Sequence, residues 1–230
     1  MSGFRRDDLE DHPPHRYPGY RSTQTRAPSR PPVPLPHTVS ETTGTQFSRA
    51  NLGPVDHDLT RQHEGRPIGQ KIIVTGRVLD QDGTPVPGTM VETWQANAAG
   101  RYAHDADQHD APLDPNFSGG GRCLTGDDGT YRFVTIQPGA YPWQNHPNAW
   151  RPAHIHFSVF GPAVATRLIT QMYFPGDPLL DHDPIYQSVP PHARDRLVAT
   201  FDFDVTIPGE ALGYTFDIVL RGPEATPPEE

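Results

Sequence analysis

Proline is the first constraint on this chain. It holds 28 prolines in 230 residues, about one in eight, roughly twice ordinary usage. Each interior proline removes a backbone donor and clashes with the preceding helical turn, so the fold cannot be mainly helical. Short strands bounded by turns remain open to such a chain, and the sequence reads that way from residue 71. "KIIVTGRVLD" is a strand pattern, "QDGTPVPG" is turn chemistry, and "TMVETWQA" is a second strand. Further strands read at "GTYRFVTI", "AHIHFSVF", "TRLITQMYF", "RLVATFDF" and "YTFDIVLR", each bounded by Gly, Pro or Asp. The expected fold is all-β, an antiparallel β-sandwich without a convincing helix. Segment 97–129, rich in Gly, Asp and Asn, reads as a long loop of the functional or partner-facing kind.

The first 50 residues are different. "PPHRYPGYRSTQTRAPSRPPVPLPHTVSETTG" keeps no helix or strand period. A disordered tail and an arm lying on another subunit both fit such a composition. Scattered Tyr, Val and Leu give an arm something to dock. The expected organisation is therefore an extended, proline-rich arm at 1–50, a sandwich domain at 51–222 and a short tail at 223–230.

Formal charge is 19 − 28 = −9, which weighs against a nucleic-acid or acidic-membrane partner. A small anion stays possible where arginines concentrate positive charge. Cys123 is the single cysteine, so neither an intrachain disulfide nor a Cys-rich zinc site is available. No apolar run approaches about 18 residues, and the polar start "MSGFRRDDLEDH" lacks a secretory core. The expected location is the cytoplasm.

The stretch "WRPAHIHFSVFG" (150–161) sets two histidines two residues apart in a strand pattern. His154 and His156 then share one face, with Ile155, Phe157 and Val159 on the other. Such a pair is either hydrogen-bonded protein or a metal site, since imidazole binds Zn, Cu, Fe and Ni. No Asp or Glu lies between His156 and Asp177, so the iron(II) triad of two histidines and a carboxylate lacks a local carboxylate. A distant one could fold in. Tyr141 stands thirteen residues before His154, and Tyr102 at the mouth of the long loop. A phenol titrates near pH 10, and a hard trivalent cation can displace its proton. Each tyrosine alone reads equally as a packing residue.

Taken together, "LDQDGTPVPGTMVETWQANAAGRY", "APLDPNFSGGGRCLTGDDG", "PGAYPWQNHPNAWRPAHIHFSVFGPAVATRLITQMYFPGDPL" and "FDIVLRG" resemble the intradiol ring-cleavage dioxygenases. The resemblance runs from about Tyr20 to Gly222 and includes "SETTG" (40–44). Its most specific part is a tyrosine followed at this spacing by R-P-x-H-x-H. Catechol-cleaving members start with a helical dimerisation segment, which the proline-rich start here cannot supply.

The resemblance implies a ligand set of Tyr102, Tyr141, His154 and His156 around one non-haem Fe(III), with Tyr141 and His156 axial. It implies that Tyr141 doubles as a base, that Arg151 supports charge developing on the ring, and that Gln171 lies beside the metal. Trp143 and Ile185 match pocket walls, and Tyr20 matches a residue recognising a ring carboxylate. The implied reaction is O2-dependent cleavage of protocatechuate (3,4-dihydroxybenzoate) to 3-carboxy-cis,cis-muconate in aromatic degradation, along the beta-ketoadipate route. The implied partner is a related alpha chain that completes the pocket in αβ units of a larger oligomer. Two other readings stand beside it: cleavage of another catechol such as hydroxyquinol, and a non-catalytic transthyretin-like module suggested by "GRVLDQDGTPVPG". His104, His109, His146 and His182 read as solvated or structural, and "VDHDL" (55–59) as a turn or cap.

Overall fold

The computed structural model describes residues 10–33, 52–143, 150–160 and 167–229. The far half of the expected arm, with "SETTG", and His146 lie outside them.

Two sheets carry the fold. Strand β1 (Lys71–Leu79) is central in the first. On one side it pairs antiparallel with β4 (Thr130–Ile136), from Lys71↔Ile136 to Arg77↔Thr130. On the other it pairs parallel, first with β10 (Leu212–Thr215), then with β11 (Ile218–Val219). The two-residue strand β9 (Thr200–Phe201) closes that edge against β10. The second sheet, in the order β3 (Gly120–Leu124), β2 (Met90–Trp94), β7 (His154–Phe160), β8 (Leu168–Tyr173), is antiparallel throughout. A ribbon of β5 (Tyr141–Pro142) and β6 (Trp150–Arg151) leads into β7.

The core lies between the sheets. Ile72, Val74 and Val78 of β1 and Phe133 of β4 meet Val91 of β2, Ile155, Phe157 and Val159 of β7, and Met172 of β8. Alternation along β7 and β8 turns His154, His156, Gln171 and Tyr173 to the face away from that core. The register sets His156 opposite Gln171 and His154 opposite Tyr173.

Expectation and structure differ in four places. The sandwich is mixed, because β10 and β11 run parallel to β1. Residues 120–124 form a strand inside the stretch read as loop. The glycines that hid β3 are needed there: a Cβ on Gly121 would sit 2.5 Å from Leu59 Cδ1. "RLVATFDF" yields only β9, because Pro191–Leu197 is a 3-10 helix. Pro190 and Pro191 start it, and the Arg194 guanidinium holds the carbonyls of Gln187 and Val189. The described part of the arm is also not extended throughout. It turns through the short helix α1 (Thr23–Arg26) and lies on its own chain, where Asp11 pairs with Arg196 at 2.7 Å and His192 at 2.6 Å. A second short helix, α2 (Pro184–Ser188), follows a 3-10 turn at Leu180–His182. No helix among the described residues is long and apolar enough to cross a membrane.

Candidate metal centre

The two histidines are held from behind. His154 Nδ1 lies 2.7 Å from the Pro152 carbonyl oxygen. A carbonyl only accepts, so Nδ1 carries the hydrogen and Nε2 presents a lone pair. His156 Nδ1 lies 2.9 Å from a Glu229 carboxylate oxygen, which imposes the same tautomer. Trp94, opposite His156 in the β2–β7 register, stacks on that imidazole at 4.7 Å and 4°.

In front, both Nε2 atoms meet phenols. Tyr141 Oη is 3.3 Å from His154 Nε2, and Tyr102 Oη is 3.2 Å from His156 Nε2. The two phenol rings pack edge to face at 5.4 Å and the two imidazoles at 4.8 Å. Four side chains from three separate segments thus bring two phenol oxygens and two imidazole lone pairs to one place. Among the described residues no group of three or more His, Cys, Asp or Glu is placed to hold a metal, so a metal here would depend on the phenols. A distant carboxylate does fold in, but it reaches the far nitrogen of His156.

Local structure explains how the tyrosines are placed. Tyr141 sits on β5, paired with Arg151 across the ribbon. Tyr102 hangs from a loop built around Asn97, whose side-chain oxygen accepts from the N–H groups of Ala99 and Arg101. The Arg101 guanidinium gathers the carbonyls of Asp107, His109 and Ala111. The Asp107 carboxylate accepts from Tyr102 N–H at 2.8 Å. Gly100, at φ +79°, lets this loop press on the Tyr141 ribbon; a Cβ there would strike the Ala140 oxygen at 2.2 Å.

Burial, helped by the neighbouring Tyr141, pushes the Tyr102 phenol well above its ordinary pKa. It therefore keeps its proton unless a cation takes its place. Burial, helped by the Arg151 guanidinium, holds His154 well below the usual imidazole range. His154 is neutral at any ordinary pH and keeps its lone pair.

Arg151 is buried, 3% exposed, and each branch of its guanidinium is engaged. One terminal nitrogen donates to His154 Nε2 at 3.2 Å and Tyr141 Oη at 3.5 Å. The other donates to Gln171 Oε1 at 2.6 Å, Tyr173 Oη at 3.1 Å and Asp183 at 2.9 Å. Burial alone would lower its pKa, but Asp183, Tyr173 and Tyr141 raise it well above the usual value. Its guanidinium also stands 5.4 Å from the Trp143 ring centroid, within cation–π range. Tyr20 packs edge to face on Trp143 at 5.1 Å, with Arg26 over its own ring at 4.5 Å. Buried Ile185 lies on α2, its N–H donating to Asp183, the residue that caps that helix. The structure therefore connects the four candidate ligands with Arg151, Gln171, Trp143 and Tyr20, and ties Ile185 to them through Asp183.

Three participants escaped the sequence reading. Asp183 had a local signal, since Asp followed by Pro marks a helix start, but nothing pointed to Arg151. Tyr173 shares the Gln171 face of its strand by alternation, but nothing tied it to Arg151, and Glu229 had no signal. Of the histidines read as solvated or structural, His104 accepts from Ala106 N–H and His109 packs on Trp150. "VDHDL" is a turn in which Asp56 pairs with Arg122 at 2.8 Å and Leu59 enters the core.

Comparison with known proteins gives a consistent picture. A family model described as a dioxygenase matches residues 42–222, and one described as the N-terminal part of the protocatechuate 3,4-dioxygenase beta subunit matches 4–38. The protocatechuate 3,4-dioxygenase beta chain of Burkholderia cepacia is 59% identical over 224 residues, covering 96% of this chain and 95% of that one. The alpha chain of the enzyme from the same organism is 32% identical over 161 residues, covering 69% and 76%. Among solved structures, hydroxyquinol 1,2-dioxygenase from Pseudomonas putida DLL-E4 superposes with a TM-score of 0.54 at 26% identity, over 75% of this chain and 59% of that one.

Proposed function

Because the chain belongs to the intradiol dioxygenase family, alongside the protocatechuate 3,4-dioxygenase beta chains, we propose that it cleaves protocatechuate between its two hydroxylated carbons. The metal would be one non-haem Fe(III), held by Tyr102, Tyr141, His154 and His156. One observation carries this: two phenols and two imidazoles converge, and both imidazole Nδ1 atoms are already engaged by acceptors. That donor set suits a hard trivalent ion, since two phenolates offset most of its charge.

When bound, ferric iron supplies Lewis acidity and a template for the two catechol oxygens. The chain's own groups do the rest. Tyr141 Oη accepts a substrate hydroxyl proton as a base already in place. Arg151 keeps its charge in a dry site and stabilises negative charge developing on the ring. Its contacts to both Tyr141 Oη and His154 Nε2 support that role. Gln171 orients Arg151, while Trp143 and Ile185 form the walls and Tyr20 faces the ring carboxylate.

The beta chain works with an alpha-type partner of the same fold, as the two Burkholderia chains suggest, in αβ units of a larger assembly. We place it in the cytoplasm, where its single cysteine needs no oxidising compartment. Co-purified with an alpha chain and loaded with iron, the protein should show a visible tyrosinate-to-iron charge-transfer band and consume O2 with protocatechuate. A colourless iron-replete protein would remove the metal assignment. A preference for catechol or hydroxyquinol over protocatechuate would overturn the substrate.

A further inference from the structure

We propose that Glu229, delivered by a folded-back segment at 226–229, is a positioning residue that makes His156 the stronger and better fixed of the two imidazole ligands. The proposal rests on the iron site described above. The segment is fastened along its length. Thr226 N–H donates to Val219 O, and Thr226 Oγ1 accepts from Val219 N–H, both at 2.9 Å. Thr170 Oγ1 donates to the Pro227 oxygen at 2.7 Å, and Glu229 N–H donates to Ile169 O at 2.7 Å. Between these anchors, Pro227 and Pro228 fix φ and bring the carboxylate to His156 Nδ1 with little chain entropy left to lose.

The two histidines are thereby made unequal. His154 leans on a neutral carbonyl, and His156 on a carboxylate. A carboxylate accepting from Nδ1–H fixes the ring and makes Nε2 a stronger donor. Trp94 stacks flat on the same ring and limits tilting, so the hydrogen bond and the stack together define its orientation. The segment also lies against β8 beside Gln171, coupling the carboxylate to the strand that supports Arg151.

The test uses the full chain with its alpha-type partner, iron-loaded, in parent, Glu229→Gln and Glu229→Ala forms. Iron release to a chelator is followed together with the visible charge-transfer band. Glu229→Ala should release iron about 10- to 100-fold faster, the usual consequence of losing a ligand's supporting group, and shift the band. Glu229→Gln keeps an accepting oxygen without the charge and should fall between Ala and parent. Glu229→Ala releasing iron at the parental rate with an unmoved band overturns the proposal, even where its melting temperature falls. A parent protein that binds no iron fails the proposed function instead, so the two failures are distinguishable.

Discussion

Arg151 shows what a single residue is asked to do here. A guanidinium 3% exposed and a carboxylate fully buried, 2.9 Å apart, are stable only as a pair. Removing one leaves the other charged and unpartnered, at a cost of about 3–5 kcal/mol. Asp183→Ala should therefore lower unfolding free energy by about that amount in denaturant titration, and slow ring cleavage as Arg151 loses its support. Arg151→Lys keeps the charge but not the planar fork. It is expected to retain bound iron and lose turnover, which iron content and O2 uptake measure separately. Cys123 is expected to be inert: burial pushes its thiol up to about 12, so only about one molecule in ten thousand is thiolate at pH 8. A native protein that reacts with iodoacetamide as fast as a free thiol contradicts this. Of the candidate site, the shared face of His154 and His156 followed from local spacing, and Tyr141 and Arg151 were singled out by the resemblance their motif carries. Asp183 and Glu229 were not, because their partners lie 32 and 73 residues away and only the folded sheets bring them together.

Among the elements, β7 and β8 were the most readable. Their alternation gave one face to the core and the other to the site, and period two fixes that choice. The weak segments were those whose structure depends on a neighbour. β3 reads as a glycine-rich loop until Leu59 is seen against Gly121. The 3-10 helix at 191–197 takes its place from Ala193 and Leu197 packing with Tyr173, Tyr186 and Val189. The arm is fastened to that same helix through Asp11, and its docking should depend on acidity. Burial raises the Asp11 carboxyl, but Arg196 and His192 outweigh it and hold it below the ordinary value of 3.8. A depressed folded-state pKa stabilises above the unfolded value and is lost as pH falls through the folded one. Acid titration below pH 4 should release the arm, read through the fluorescence of Trp143 beneath Tyr20. At neutral pH, Asp11→Asn should speed proteolysis at Arg21 and Arg26 and remove the acid step. An identical acid step in Asp11→Asn would refute the Asp11 linkage.

At the scale of the molecule, the first sheet is joined by strands from opposite ends of the domain. Ile72 pairs with Leu212, and Val78 with Ile218. Such long-range parallel pairing makes folding slow, because loop closure must precede any reward. A chain ending at residue 211 should leave one side of β1 open and enter the insoluble fraction on expression, whereas Glu229→Ala should remain in the supernatant. The same pairing has a consequence during synthesis. Ribosomes add about 5–20 residues per second, so β1 emerges about 7–27 seconds before β10 can cover its open side. A nascent chain must be shielded over that interval. Glu229 leaves the ribosome later still, so His156 gains its carboxylate support only after the strands of both sheets have been made.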